Sequence, residues 1–482
     1  MPELINRNFI EKVSKMNEQI SSDIAVIGGG PGGYAAAILA ARMGANVVLI
    51  EKNKLGGTCL NAGCIPTKAL LKCTDVYASA ADASAYGVTY GPVSFDFKKI
   101  MSYKNRVVTQ LVGGVTHLVK ANKIKFISGE GKLMNSNTIL VKAEDGSQEV
   151  HAQNIILATG AKEVVIPGFE PDGEKILNST QMLSLNELPN NLVIIGGGVI
   201  GVEFASIFTR LGVKVTIIEL TDRLIPLEDE ELSENIRKFL EKQGVCIYTQ
   251  TLAQGIVKQS SGEICVQVKL PDGDLQLVEF DKLLVCVGRK ALLSDVGVME
   301  IGVRMRNGHI ETDEQMRTNI PGLYAIGDVT LSEQLAHVAY MEARTAVFNI
   351  MGKTCNADYS AIPHCIYTNP EIASVGLSES KARELHGSVK IARFPFAGNG
   401  KALIEGHNEG FVKLIINEES EQIMGAAIIG PKATELITEL TLAVQKKMTV
   451  MDLLNTVHAH PTLSEALGES ALAAVGLNLH SI

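Results

Sequence analysis

The 482 residues are enough for about three domains, and a content of 46% hydrophobic and 20% charged residues belongs to an ordinary globular protein, not a fibrous or disordered one. A net charge of −9 argues against nucleic acid or an anionic membrane as partner, and no apolar run reaches the roughly 18 residues of a membrane span. Eight cysteines in so long a chain are no secreted disulfide framework, and apart from Cys59 and Cys64 they show no metal-ligand spacing and are expected to be mostly buried and inert. The first twenty residues hold no signal-peptide core. They mix Glu3, Glu11 and Glu18 with Arg7, Lys12 and Lys15, whereas a transit peptide is poor in acids. This stretch reads as a mobile or surface-lying extension. A cytoplasmic protein is expected, although a processed protein of the mitochondrial matrix would look nearly the same.

From Asp23 to Lys52 the pattern is strand, glycine turn, helix, strand, acid. Gly28, Gly30 and Gly33 form G-x-G-x-x-G directly after the apolar run Ile24–Ile27. The first glycine permits the tight turn, the second lets backbone approach a pyrophosphate, and the third allows close helix–strand packing. The helix N-terminus then faces an anion, and Glu51 closes the second strand, placed to accept ribose hydroxyls. Residues 23–163 are expected to form this first dinucleotide-binding domain.

Inside it lies GGTCLNAGCIPTK, Gly56–Lys68. Residues five apart in a regular helix are separated by about 7.5 Å of rise, and a disulfide needs Cα atoms within about 7 Å. A straight helix would not close Cys59 onto Cys64. Asn61-Ala62-Gly63 is turn chemistry, and Pro66 removes the amide that would bond back to Ala62. Gly56, Gly57 and Thr58 suit a helix start, where a thiol's pKa is expected to be lowered. The pair reads as a thiol–disulfide centre; two unpaired cysteines in a buried helix are the plainer alternative.

The fingerprint recurs from Asn191 to Glu219. Gly196, Gly198 and Gly201 repeat the glycines, and Glu219 repeats the acid at the same offset as Glu51. One such motif is weak evidence, but two with strand, helix and acid in place are strong. Residues 164–288 are therefore expected to hold a second dinucleotide. Leu220 follows the acid, and a carboxylate there favours a free 2′-hydroxyl and repels a 2′-phosphate, which argues for NAD over NADP. Arg223 lies near enough to oppose that reading.

Ile155–Ala161 and Leu283–Arg289 are buried-strand runs ending in glycine that look like crossings between the two nucleotide folds. GLYAIGD, Gly322–Asp328, is a third strand ending in an acid, within a central stretch, 289–361, expected to complete the first site. After Ile362 the pattern changes. Strands at Gly410–Ile416 and Ile423–Ile429 precede a helical pattern at Ala433–Lys447, giving a separate α+β domain over 362–482. Near its end HAHPTLSE, His458–Glu465, offers a base. His460 precedes Pro461, which biases it to extended backbone and permits a cis bond. Glu465 is placed either to orient the imidazole, as in triad logic, or to form a capping box with Thr462 at a helix Ser464–Val475. His458 reads as a structural or supporting residue.

Together these motifs resemble the flavin-dependent pyridine nucleotide–disulfide oxidoreductases, over essentially all of the chain beyond residue 22. Thr67 stands where such enzymes commonly have serine, and Ala62 where valine is frequent. The resemblance implies an α/β fold of two Rossmann-like domains, for FAD and NAD, with a C-terminal α+β dimerisation domain. Within the family, the NAD-type acid and the HAHPTLSE tail point to oxidation of protein-bound dihydrolipoamide with reduction of NAD, in partnership with lipoyl domains of a 2-oxoacid dehydrogenase or glycine-cleavage assembly. The implied roles are a Cys59 mixed disulfide with substrate, Cys64 as thiolate donor to the flavin, and His460 as base oriented by Glu465, both supplied by the opposite subunit of a homodimer. Asp328 would bind the flavin ribityl chain, and Lys68 would sit near flavin N5 and pair with Glu203, although each of these is also plausible as an ordinary turn or surface charge. Gly131, Thr159, Gly160 and Ala336 would join the FAD site, and Gly288 the NAD site. A reductase of another disulfide is the alternative, and a non-catalytic flavin-bound docking subunit a remoter one. No metal is expected.

Overall fold

The structure, a computed structural model, describes residues 20–144 and 146–480. The leader expected over residues 1–22 lies outside the described residues as far as residue 19; Ile20–Ser22 already belong to the first strand.

The first nucleotide fold opens with β1 (Ile20–Ile27), α1 (Pro31–Arg42) and β2 (Val47–Glu51). The helices α2 (Gly57–Ala62), α3 (Cys64–Ala81) and α4 (Phe97–Ala121) follow, then β3 (Lys125–Ser128), β4 (Glu130–Leu133), β5 (Thr138–Ala143), β6 (Gly146–Leu157) and β7 (Ala161–Glu163). The sheet runs β3-β2-β1-β6-β5-β4, parallel from β3 to β6 and antiparallel beyond. The central strands are apolar on both faces, as strands covered on both sides must be. Ile24 and Val26 join the cluster under α1, while Ala25 and Ile27 pack with Ile139 and Val141 of β5.

The second fold comprises β8 (Ile176–Leu177), β9 (Asn191–Ile195), α5 (Val199–Arg210), β10 (Lys214–Ile218), α6 (Glu230–Lys242) and β11 (Cys246–Tyr248). An antiparallel meander, β12 (Leu252–Lys258), β13 (Ile264–Lys269) and β14 (Leu275–Glu279), precedes β15 (Lys282–Val285). Its parallel sheet runs β11-β10-β9-β15-β8. Leu192 and Ile194 pack with Phe204 and Phe208 of α5, whereas Val193 and Ile195 pack with Val266 and Val268 of the meander.

The chain leaves the first fold after Val164 and re-enters it at Arg289. There β16 (Arg289–Ala291) pairs antiparallel with β7. β17 (Leu323–Ala325) then adds to β6, and α7 (Ala336–Ile350) covers α1. These segments form one unit: the chain up to Ala69, Ser102–Val164 and Arg289–Asp358. The other unit gathers Leu70–Met101, Val165–Gly288 and Tyr359–Ile482. Leu70, Leu71 and Met101 belong to it because they pack in the cluster of Phe204 and Phe208.

The C-terminal sheet contains β18 (His364–Ile366), β19 (Glu371–Gly376), β20 (Val389–Pro395), β21 (Phe411–Asn417) and β22 (Ile423–Gly430), in the antiparallel order β18-β19-β22-β21-β20. α8 (Ala433–Gln445) and α9 (Glu465–Ala474) cover one face through Ile437, Leu440, Ala466 and Leu467. From the other face Lys413 of β21, 2% exposed, reaches Asp229 at 2.8 Å, Glu231 at 3.1 Å and Glu379 at 2.8 Å. Among the described residues no helix is long and apolar enough to cross a membrane.

Candidate active site

Each glycine fingerprint is built the same way. A Cβ on Gly28 would lie 2.1 Å from the Ala158 carbonyl oxygen, and one on Gly33 only 1.8 Å from that of Gly28. In the second fold a Cβ on Gly196 would meet the Cys286 carbonyl at 2.6 Å, and one on Gly201 that of Gly196 at 2.0 Å. Packing within the chain therefore requires the first and third glycines. The middle glycine differs. A Cβ on Gly198 would meet nothing within 4 Å, and one on Gly30 only Gly57 at 3.9 Å. Space is left over both helix starts, and neither α1 nor α5 has a side-chain cap on its first amides. Uncapped amides beside open space fit a pyrophosphate.

The two acids repeat one geometry as well. Glu51 accepts hydrogen bonds from Gly29 N and Asn53 N, both at 2.7 Å. Glu219 accepts from Gly197 N at 2.5 Å and from Thr221 N and Oγ1 at 2.7 and 2.8 Å. Each carboxylate thus braces its own glycine turn at the end of its strand. Arg223, the residue that opposed the NAD reading, is engaged elsewhere. It pairs with Glu230 at 3.1 Å and donates to the Pro226 carbonyl.

The remaining expected cofactor residues lie at strand and helix ends. Gly131 of β4 sits over Ile27 and Ile50, at the ends of β1 and β2. Thr159 donates to the Leu292 carbonyl at 2.7 Å, and Gly160, at φ +75°, accepts from the Leu292 amide, so β7 and β16 are tied just after β6. Gly288, at φ +124°, follows β15. Ala336 is the first residue of α7, which also lacks a side-chain cap. Asp328 is largely enclosed, and burial pushes its carboxyl up against the opposing pull of Arg289 and His309. Glu203 of α5 is buried and accepts the Tyr367 amide at 3.0 Å.

The thiol pair sits where the helix breaks. α2 ends at Gly63, whose φ of −144° and ψ of −112° turn the chain, and Cys64 begins α3. A Cβ on Gly63 would stand 3.1 Å from the Thr58 carbonyl oxygen and 3.4 Å from Cys59 Cα, so the chain folds back onto Cys59. Thr67 Oγ1 donates to the Gly63 carbonyl at 2.7 Å and fixes the first turn of α3. Cys59 and Cys64 are both thiols here, and Cys59 is hydrogen-bonded to Cys64. The expectation of a lowered thiol pKa is overturned for Cys59. Its neighbour sulfur and burial push it up, and Lys68 pulls the other way. A second anion beside the first is unfavourable, so the pair gives up one proton far more easily than two. Of the other cysteines only Cys265 is fully buried, and Cys246 is exposed, so burial is less complete than expected. Cys286 lies beneath the second glycine turn, where burial and then Glu219 push its thiol up to about 12.

His460 and Glu465 lie in the other unit, and the peptide bond between His460 and Pro461 is cis. His460 Nδ1 is 2.8 Å from Glu465 Oε1, and the imidazole is 80% exposed. Glu465 Oε2 accepts the Thr462 amide at 2.8 Å at the start of α9. The contact with His460 fits the orienting reading, but only half of a capping box forms: Glu465 reaches back to the Thr462 amide, whereas Thr462 Oγ1 donates to the Ala459 carbonyl and Ser464, the N-cap of α9, makes no side-chain cap bond. Burial acts upward on Glu465, yet the Thr462 amide and His460 hold its carboxyl below the usual range. His458 is half-buried, 2.9 Å from Glu439 and against Gly468, in a supporting position.

Sequence reasoning passed over Glu342. It is fully buried on α7 and accepts the Gly327 amide at 2.5 Å, which fixes the turn bearing Asp328. An acid fourteen positions downstream in a helix gives no local signal of such a role.

The sequence profile of the pyridine nucleotide–disulphide oxidoreductases matches residues 22–343, and that of their dimerisation domain residues 362–471. This chain belongs to that family. It is a homodimeric flavoprotein disulfide oxidoreductase whose cofactors are FAD and NAD. Curated relatives named dihydrolipoyl dehydrogenase include one from Bacillus subtilis, 40% identical over 95% of this chain and 99% of its own length. Another, from Geobacillus stearothermophilus, is 40% identical over 96% and 98%. Among solved structures, LpdA of Mycobacterium tuberculosis superposes with a TM-score of 0.87 at 28% identity, covering 94% of this chain and 99% of that one. The HOCl-induced flavoprotein disulfide reductase RclA of Escherichia coli, in its Cu(II) complex, gives 0.83 at 28% identity, covering 94% and 99%.

Proposed function

We propose that this enzyme oxidises protein-bound dihydrolipoyl groups to the cyclic disulfide and reduces NAD. The observation that carries the reading is that one chain holds both an exposed His460–Glu465 pair on the family's dimerisation domain and a thiol pair at a helix break. Full-length relatives named for that reaction support it. The assignment of residues follows from it. Residues 23–163 and 289–361 bind FAD, 164–288 bind NAD, and 362–482 form the dimer contact.

Thiolate is the attacking species in disulfide exchange, and a thiol near pKa 8.5 is mostly protonated at neutral pH. His460, supplied by the opposite subunit, takes the proton of the first substrate thiol at Nε2, because Glu465 occupies Nδ1 and stabilises the imidazolium. The substrate sulfur bonds to Cys59 and the Cys59–Cys64 bond breaks, leaving Cys64 as thiolate. The second substrate sulfur then closes the substrate disulfide and releases Cys59. Lys68 favours the anionic forms. When bound, FAD supplies the two-electron carrier between thiol and nicotinamide. The uncapped starts of α1 and α5 hold the two pyrophosphates, with Glu51 and Glu219 toward the ribose hydroxyls and Asp328 toward the ribityl chain. Lipoyl domains of a 2-oxoacid dehydrogenase or glycine-cleavage assembly are the partners, and the compartment is the cytoplasm.

The test is direct. Dihydrolipoamide should reduce NAD rapidly on the purified enzyme, and glutathione with NADP should not replace it. Flavin reduced by NADH but indifferent to dihydrolipoamide would move the substrate to another disulfide.

A further inference from the structure

Two tyrosines form a pair that the exchange chemistry does not yet use. Tyr34 lies on the first turn of α1, its amide bonded to the Gly30 carbonyl at 2.9 Å. Gly30 itself abuts Gly57, two residues before Cys59. Tyr340 lies on α7, which crosses α1 closely because Gly32 leaves room for Ala339. The two phenolic oxygens are 2.5 Å apart, and the rings meet edge to face at 6.1 Å. Tyr34 and Cys59 pack against one apolar cluster. Tyr340 is 40% exposed, so the pair is reachable from solvent, where a protein-borne substrate must arrive.

Two phenols carry two protons. One lies in the bond between them, and the other is left to donate to a third group. We propose that this second proton is offered to the sulfur of Cys59, so that Tyr34 and Tyr340 together hydrogen-bond the Cys59 thiolate when substrate leaves. The groups coupled electrostatically to that sulfur are Cys64, Lys68 and the two phenols. Burial raises both phenols; the bond between them then raises Tyr34 and lowers Tyr340, and Cys59 followed by Cys64 act upward on both. They stay protonated, as donors must. The proposal builds on the exchange step above. In its second half His460, having released the first proton to solvent, takes the proton of the remaining substrate thiol; that sulfur attacks the substrate sulfur held on Cys59, the bond to Cys59 breaks, the substrate disulfide forms, and the electron pair stays on Cys59. A hydrogen bond to an anion is among the stronger ones. Tyr340 aligns Tyr34 and reciprocally, so the phenols act as positioning residues for a good leaving thiolate.

The experiment uses reduced, FAD-loaded enzyme and iodoacetamide, with alkylation at Cys59 and Cys64 followed separately by peptide mass across pH. Tyr34→Phe and Tyr340→Phe keep the ring and remove only the hydroxyl. Either should raise the midpoint for Cys59 alkylation by roughly half to one pH unit and leave Cys64 unmoved. The double variant should shift no further than a single one, because the pair acts as a unit. Unchanged Cys59 midpoints in both single variants, with FAD retained, would overturn the proposal, as would additive shifts. No dihydrolipoyl compound enters the assay. A shift in an enzyme that ignores dihydrolipoamide would refute the proposed substrate and uphold the phenol pair.

Discussion

One carboxylate with two duties decides what substitution at Glu465 does. Its Oε1 holds His460 and its Oε2 holds the Thr462 amide. Glu465→Gln should therefore lower turnover with dihydrolipoamide and also loosen the turn that leads into α9, by about 0.5–1.5 kcal/mol for a weakened hydrogen bond. The carboxyl is depressed in the folded state. Its stabilisation is thus present above the unfolded value of about 4.3 and lost as pH falls through the folded value. Melting curves of the two proteins should differ at pH 7 and converge as pH falls through the depressed folded value. His460→Gln is the cleaner chemical test. Loss of a positioned base should cost about 10²–10⁴ in dihydrolipoamide oxidation with FAD still bound, and near-normal turnover would remove His460 from the mechanism. Glu219→Ala should weaken the preference for NAD over NADP, measured as the ratio of kcat/KM for the two.

At the scale of elements, the break between α2 and α3 was legible in Asn61-Ala62-Gly63 and Pro66, because turn residues act locally. The fingerprints were legible for the same reason, since strand, glycine turn and acid lie within one short stretch. So were β21, β22 and α8, whose apolar patterns are long. What stayed hidden depends on residues distant in sequence. Lys413 reads as one more polar position in a strand, yet it is buried among Asp229, Glu231 and Glu379, which fasten the start of α6 and the helix Glu379–His386 to β21. Glu342 and the Tyr34–Tyr340 pair escaped in the same way. The raised Cys59 thiol escaped because a helix-end argument ignored the second sulfur. Lys413→Met should leave buried Asp229 without its cation, while Glu231 and Glu379 keep Arg393 and Arg383, and cost about 3–5 kcal/mol, seen as a lower denaturant midpoint with little change in slope. An equally stable variant would show that the acids find other partners.

At the scale of the whole molecule, the thiols sit in one compact unit and the base in the other, and the base stands exposed on its own subunit. If each site takes its thiols from one chain and its imidazole from the next, subunits disabled in different halves complement. Dimers reassembled from equal amounts of Cys64→Ser and His460→Gln protein should recover about a quarter of native activity, since half the dimers are mixed and each mixed dimer has one whole site. Zero recovery, with mixed dimers demonstrated, would place thiols and base in one chain. The exposed imidazole then has a genetic meaning. Two inactive alleles, one lesioned at Cys64 and the other at His460, would support growth together where neither does alone, whereas two different lesions at the thiol pair would not.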